Sequence, residues 1–362
     1  MSQRFPWSAV RGGVAAVALT SILLASACGG SSSSSSSSGS SAGGSTTAPK
    51  VTKIAIATPA KQADYGWNQQ GIEAAKAAAT ANGAHLTVVQ NIGYNNTPAV
   101  LRQLAQAGNK FIIAHASGYD TQAQQIARQY HVPVMTYDVA TQLVPNEVSN
   151  ITTSSQQGAY LAGILAAKTT KTDKVGIIIS ASDTNWYEMS GGYAAGVHSV
   201  NPSIKILFAE IGPASYDDSA GGKRVATAMV AAGADVIFAM GDGASIGYLQ
   251  AISTANVGHK VWFIGDIGNM TPIDKQHVFL SSVLWNFTKA YENAISEINN
   301  GTYGQKGYNL TLANGGISLL KTTYIPAAVW SQIEKAKQGI IDGTVKVPDT
   351  TTSSEVQKVI NQ

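Results

Sequence analysis

The sequence predicts an α/β protein of two similar lobes, each a mostly parallel sheet covered by helices. Three observations carry this. From Lys53 onward, short β-branched runs alternate with segments of helical period, the pattern of parallel-sheet α/β domains. Asp64-Tyr65-Gly66-Trp67-Asn68, after one apolar strand, is echoed by Asp183-Thr184-Asn185-Trp186-Tyr187 after another, so Asp-x-x-Trp opens a strand-turn-helix unit twice. The strand-to-loop junction Phe111 to Gly118 likewise has a counterpart in Val236 to Gly243.

The chain of 362 residues, 44% apolar and 12% charged, is long enough for two domains with a core in each. Arg4 and Arg11 precede an apolar run from Val14 to Ala27. This reads as an export signal, and the run is shorter than the roughly 20 residues that cross a bilayer. Cys28 is the single cysteine, which excludes an intrachain disulfide and a cysteine-based metal or catalytic cluster. Its setting, Leu24-Ala25-Ser26-Ala27-Cys28-Gly29, resembles a bacterial lipobox and implies lipidation at Cys28; plain secretory cleavage near Ala27 is the alternative. Ser31 to Ser38 and the Gly/Thr-containing stretch through Thr47 cannot bury anything and read as a tether. Loss of Arg4 and Arg11 with the signal nearly balances the 24 basic against the 21 acidic residues. No basic stripe marks a nucleic-acid surface.

In the first half the expected strands are 54–58, 86–90, 111–115, 134–137 and a short one near 148–152, with helices at 69–81, 97–108 and 121–130. The second half opens with a helix at 156–169, whose small residues from Gly158 to Gly163 serve close packing. Strands follow at 175–180, 204–209, 236–240, 261–265 and 279–284. A helix at 289–299, a strand at 316–320 and a helix at 327–341 complete the chain, the strand forming part of a hinge.

Ligands of open α/β sheets bind outside the carboxyl ends of the strands, where both Asp-x-x-Trp turns fall. Phosphate-loop, nucleophile-elbow and His-Glu-x-x-His motifs are absent, and the six histidines never adopt metal-ligand spacing. His115, at a strand end on the cleft side, is either a ligand contact or a capping or packing residue. Gly241-Asp242-Gly243-Ala244-Ser245-Ile246-Gly247, trailed by Asp266, imitates a dinucleotide fingerprint, but the last glycine is one place late and the unit is not the first of its half. Its glycines read as room for a ligand near the backbone, without a cofactor or a catalytic role.

These residues together give the chain a resemblance to the basic membrane protein family, the purine-nucleoside-binding (PnrA-like) lipoprotein receptors of ABC importers. The resemblance runs from Cys28 through Asp64 to Asn68, Gly158 to Gly163, Gly192 to Gly196, Gly241 to Gly243 and Gly265-Asp266 to Leu284-Trp285. It implies a type I periplasmic-binding-protein fold of two lobes joined by a three-segment hinge. The expected lobes are 51–154 plus 286–305 and 155–285 plus 306–350, preceded by the signal (1–28) and tether (29–50) and followed by a tail (351–362). It also implies a non-enzymatic monomer, lipid-anchored on the outer face of the cell membrane, that passes a small purine-like ligand to a permease. A ligand-sensing subunit for a membrane signalling protein is the alternative.

Carried over residue by residue, the resemblance makes Trp67 the stacking ring of the first lobe, assigns Asn68 and Asp64 to the base edge, and gives Asp266 a polar ligand group. Trp186 follows as the opposing ring from the internal repeat; an ordinary core or hinge role is the alternative for both tryptophans. His115, Ser117, Asp138, Gly241, Asp242 and Trp285 complete the candidate set. Trp285 stands where many family members carry a lysine associated with the sugar, so a bare base is expected to be favoured over its riboside.

Overall fold

The computed structural model describes residues 50–138 and 143–362. The signal, Cys28 and the serine tract lie outside them. Two six-stranded sheets form the two lobes, and the described residues belong to one compact unit. The first lobe runs β1 (Lys53–Ala57), α1 (Trp67–Asn82), β2 (His85–Val89), α2 (Thr97–Gln106), β3 (Phe111–Ala114), α3 (Asp120–Tyr130), β4 (Val134–Tyr137) and β5 (Val148–Thr153). The second runs α4 (Ser155–Thr169), β6 (Lys174–Ile179), α5 (Thr184–Val200), β7 (Lys205–Glu210), α6 (Ser219–Ala231), β8 (Val236–Met240), α7 (Ala244–Ser253), β9 (Trp262–Ile267) and β10 (Phe279–Trp285). The chain then adds α8 (Thr288–Asn300), β11 (Tyr308–Leu310), β12 (Ile317–Leu319), α9 (Ala327–Ile341) and α10 (Ser353–Ile360).

Strand order is β11-β5-β4-β3-β1-β2 in one sheet and β12-β10-β9-β8-β6-β7 in the other. All pairings are parallel except β10 with β12. The central strands β3 and β8 are buried at every residue, because helices cover both faces of a parallel sheet and leave no polar side for alternation. The chain passes between lobes three times, after β5, after β10 and after β11, which is the three-segment hinge.

Two segments differ from the sequence reading. Tyr308–Leu310 pairs with β5, so the chain stays with the first sheet past the boundary expected at 305; three residues give no period to read. The expected tail contains α10, opened by a capping box between Thr352 and Glu355 and anchored by buried Val356 and Val359.

The glycines of α4 serve packing, as expected. A Cβ on Gly163 would stand 2.1 Å from the Tyr193 carbonyl oxygen of α5, and one on Gly196 would stand 2.1 Å from that of Tyr160. Backbone meets backbone, so neither neighbour can turn aside. Gly163→Ala is expected to cost at least about 2 kcal/mol of stability, read as a drop in denaturation midpoint. An unchanged midpoint would mean that the two helices can separate freely.

Candidate functional site

The turn after β1 is organised by Asp64. Its carboxylate accepts from the backbone N–H groups of Gly66 (3.1 Å), Asn68 (2.8 Å) and Gln69 (3.0 Å) and from Asn68 Nδ2 (2.6 Å), satisfying donors left open at the start of α1. Asn68 is fully buried, and its Oδ1 accepts from the Ala60 N–H at 3.2 Å. Both ends of that amide are used inside the loop. Asp64 and Asn68 therefore shape the turn instead of meeting a ligand edge, and what the turn presents is Trp67.

His115 supports that ring. The imidazole stacks on Trp67 with centroids 4.3 Å apart, Trp67 Nε1 donates to the His115 carbonyl at 3.0 Å, and His115 Nε2 lies 2.9 Å from the Trp67 carbonyl. A carbonyl only accepts, so Nε2 carries the proton and Nδ1 accepts from the Tyr291 hydroxyl at 3.2 Å. Burial pushes the imidazole down to about 3, which keeps it neutral. Of the two roles open in the sequence, the structure gives His115 the packing one. Tyr137 and Phe287 close edge-on around the pair.

A cavity of about 330 Å³ lies between the lobes. Its wall brings together six of the expected residues, Trp67, Ser117, Asp138, Trp186, Asp242 and Trp285. Asp64, Asn68, His115, Gly241 and Asp266 stand behind it. Four polar or aromatic residues outside the expected set complete the wall: Tyr94, Asp183, Asn185 and Tyr216. Asp183 and Asn185 belong to the repeated turn itself, and Asp183 also caps α5 by accepting from the Asn185 N–H at 2.9 Å. Tyr94 and Tyr216 sit in loops with no period to flag them.

Trp186 is held by Asp266, whose Oδ2 accepts from the indole Nε1 at 3.1 Å and whose Oδ1 accepts from the Gly241 N–H at 3.3 Å. Asp266 is thus a support for the ring, and Gly241 one of its anchors. Burial is the main cause that pushes the Asp266 carboxyl up to about 7; the two hydrogen bonds work against it. Desolvation also drives Asp138 up to about 6, with Asp183 adding repulsion and the Ser117 hydroxyl opposing.

The shift of Asp266 has a sign. A carboxyl raised above its unfolded value stabilises the fold fully below about pH 4 and loses that contribution as pH rises through about 7. The stability of the parent relative to Asp266→Asn is therefore expected to fall by about 2 kcal/mol between pH 5 and pH 8. Paired denaturation curves would show it, and a gap constant with pH would contradict it.

The lobes touch beside the cavity. Trp67 N–H donates to Asp242 Oδ1 at 3.4 Å, Tyr65 packs on the second-lobe core, and a Cβ on Gly268 would stand 1.8 Å from the Tyr65 carbonyl oxygen.

Two sheets of mostly parallel strands joined by three crossovers around such a cavity make a type I periplasmic-binding-protein fold. The family described as ABC transporter substrate-binding protein PnrA-like matches residues 51–351. The chain belongs to this family, and it is a solute-binding protein, not an enzyme. It is 28% identical over 325 residues to the ABC transporter nucleoside-binding protein BmpA of Lactococcus lactis, covering 82% of this chain and 89% of that one. It is 24% identical over 320 residues to basic membrane protein A of Borreliella burgdorferi, covering 84% and 90%. Among solved structures, an ABC transporter solute-binding protein from Aeropyrum pernix is similar with a TM-score of 0.74 at 20% identity, covering 86% of this chain and 98% of that one. One from Conexibacter woesei gives 0.70 at 23%, covering 82% and 99%. Among the described residues, no helix is long and apolar enough to cross a membrane.

Proposed function

We propose that this protein is the extracytoplasmic receptor of an ABC importer, tethered through a lipid on Cys28, and that it captures a flat nitrogen heterocycle, a purine nucleobase or nucleoside, for delivery to a membrane permease. The observation that carries the reading is the meeting of three indoles in one wall: Trp67 from the first lobe, Trp186 from the second and Trp285 at the end of β10 before a crossover. Flat rings stack on flat rings with little regard to substituents, and a cavity of about 330 Å³ sits at the small end of small-molecule sites. Asn185, Ser117 and the carboxylates supply edge partners of both polarities. The name of the Lactococcus relative, a nucleoside-binding protein, supports the same class.

Calorimetry on adenine, guanine, hypoxanthine and their ribosides tests this, together with mass spectrometry of whatever the purified protein releases on unfolding. Saturable binding to at least one of the six and a heteroaromatic ligand in the released fraction are expected. Silence across the panel with a bound sugar or amino acid would contradict it.

A further inference from the structure

The charge around this cavity is one-sided. Asp138, Asp183 and Asp242 line it, and none of its described lining residues is Lys, Arg or His. Residues 139–142, which follow Asp138 in the chain, contain no basic residue either. The partners that these carboxylates find within the protein are all neutral. Asp138 accepts from the Ser117 hydroxyl; Asp183 accepts from the Asn185 N–H at 2.9 Å and the Tyr216 hydroxyl at 3.3 Å; Asp242 accepts from the Trp67 N–H at 3.4 Å. More acid lies near Asp242: Asp64, Asp217 and Asp266 all add repulsion there, after burial itself. Among the described residues, no group of three or more His, Cys, Asp or Glu is placed to hold a metal ion.

Carboxylates that share a partly enclosed space without a counter-ion repel one another, and neutral hydrogen bonds satisfy their lone pairs without cancelling their charge. A cation between them would do both. The aromatic wall has the same preference, since indole and phenol rings offer negative faces to a positive group, and five such rings line the cavity: Trp67, Trp186, Trp285, Tyr94 and Tyr216. Carboxylates and ring faces thus select for one kind of solute.

We propose that the flat heterocycle taken by this cavity is a cation, an aromatic nitrogen base carrying a delocalised positive charge such as an N-alkylated purine or a pyridinium. The inference rests on the function proposed above, because it assumes that the cavity takes a flat heterocycle. Stacking on the indoles and attraction to Asp138 and Asp183 then act on the same ring.

The test is calorimetry near neutral pH on two pairs that differ by one methyl group and one charge: 1-methyladenosine against adenosine, and 1-methylnicotinamide against nicotinamide. The cationic member is expected to bind at least about tenfold more tightly in each pair. Asp183→Asn should reduce that cation-to-neutral ratio several-fold, and Asn caps a helix as well as Asp does, so the start of α5 is kept. Asp138→Asn should act in the same direction. Neutral members that bind as well as the cations, or a ratio unmoved by both substitutions, would overturn the charge selectivity while leaving the heterocycle reading standing. Failure of all four compounds and of the neutral purine panel would overturn both.

Discussion

Trp186→Ala is expected to weaken ligand binding by one to two decades and to destabilise the ligand-free protein as well. Loss of a stacking ring costs about 1–3 kcal/mol of affinity, which converts to that range. The second effect arises because Trp186 is only 4% exposed, and truncating a buried tryptophan costs about 3–5 kcal/mol. Removal of its indole N–H also leaves Asp266 with one hydrogen-bond donor fewer in a buried site. Trp186→Phe separates the two contributions: it keeps a ring for the ligand and loses the hydrogen bond to Asp266. Titrations should find Phe close to the parent in affinity and Ala far below it, while both melt earlier than the parent. Equal affinity of parent and Trp186→Ala would remove this ring from the binding site.

Gly268→Ala is expected to reduce affinity at least about a hundredfold, roughly 2.7 kcal/mol, with little change in the melting of the ligand-free protein. Gly268 lies just beyond β9 in the second lobe, and its added Cβ would meet the Tyr65 carbonyl of the first lobe at 1.8 Å. The backbone of Gly268 is not in the left-handed region, so alanine fits its own lobe without strain. Only the approach of the two lobes is blocked, and the ligand must then bind a form whose walls cannot meet. An affinity equal to that of the parent would show that contact between Tyr65 and Gly268 is not needed for binding.

The sheets were legible because a parallel sheet buried on both faces writes long apolar runs, and strands such as Val134–Tyr137 and Val236–Met240 fall where those runs stand. Tyr308–Leu310 was not legible: three residues whose burial comes from pairing with β5 carry no pattern of their own. Within the site, Trp67 and Trp186 could be read because a large ring beside a turn, repeated in both halves, is rarely a local device. Asp64 and Asn68 misled for the opposite reason. Short polar side chains at a helix start satisfy backbone donors before anything else, and here Asp64 takes those of Gly66, Asn68 and Gln69. The same reasoning hid Asp183, which caps α5 and lines the cavity together, since one oxygen can serve the helix while the other faces a different partner. Tyr94 and Tyr216 come to the wall only through the approach of distant loops, which nothing local in the sequence encodes.

Capture of a solute by closure of the two lobes is measured most directly by small-angle scattering on the parent with and without saturating ligand. The radius of gyration is expected to fall on binding in the parent and to stay high in Gly268→Ala at the same ligand concentration. A radius that does not change in the parent, with ligand bound by calorimetry in the same sample, would contradict closure as the mode of capture.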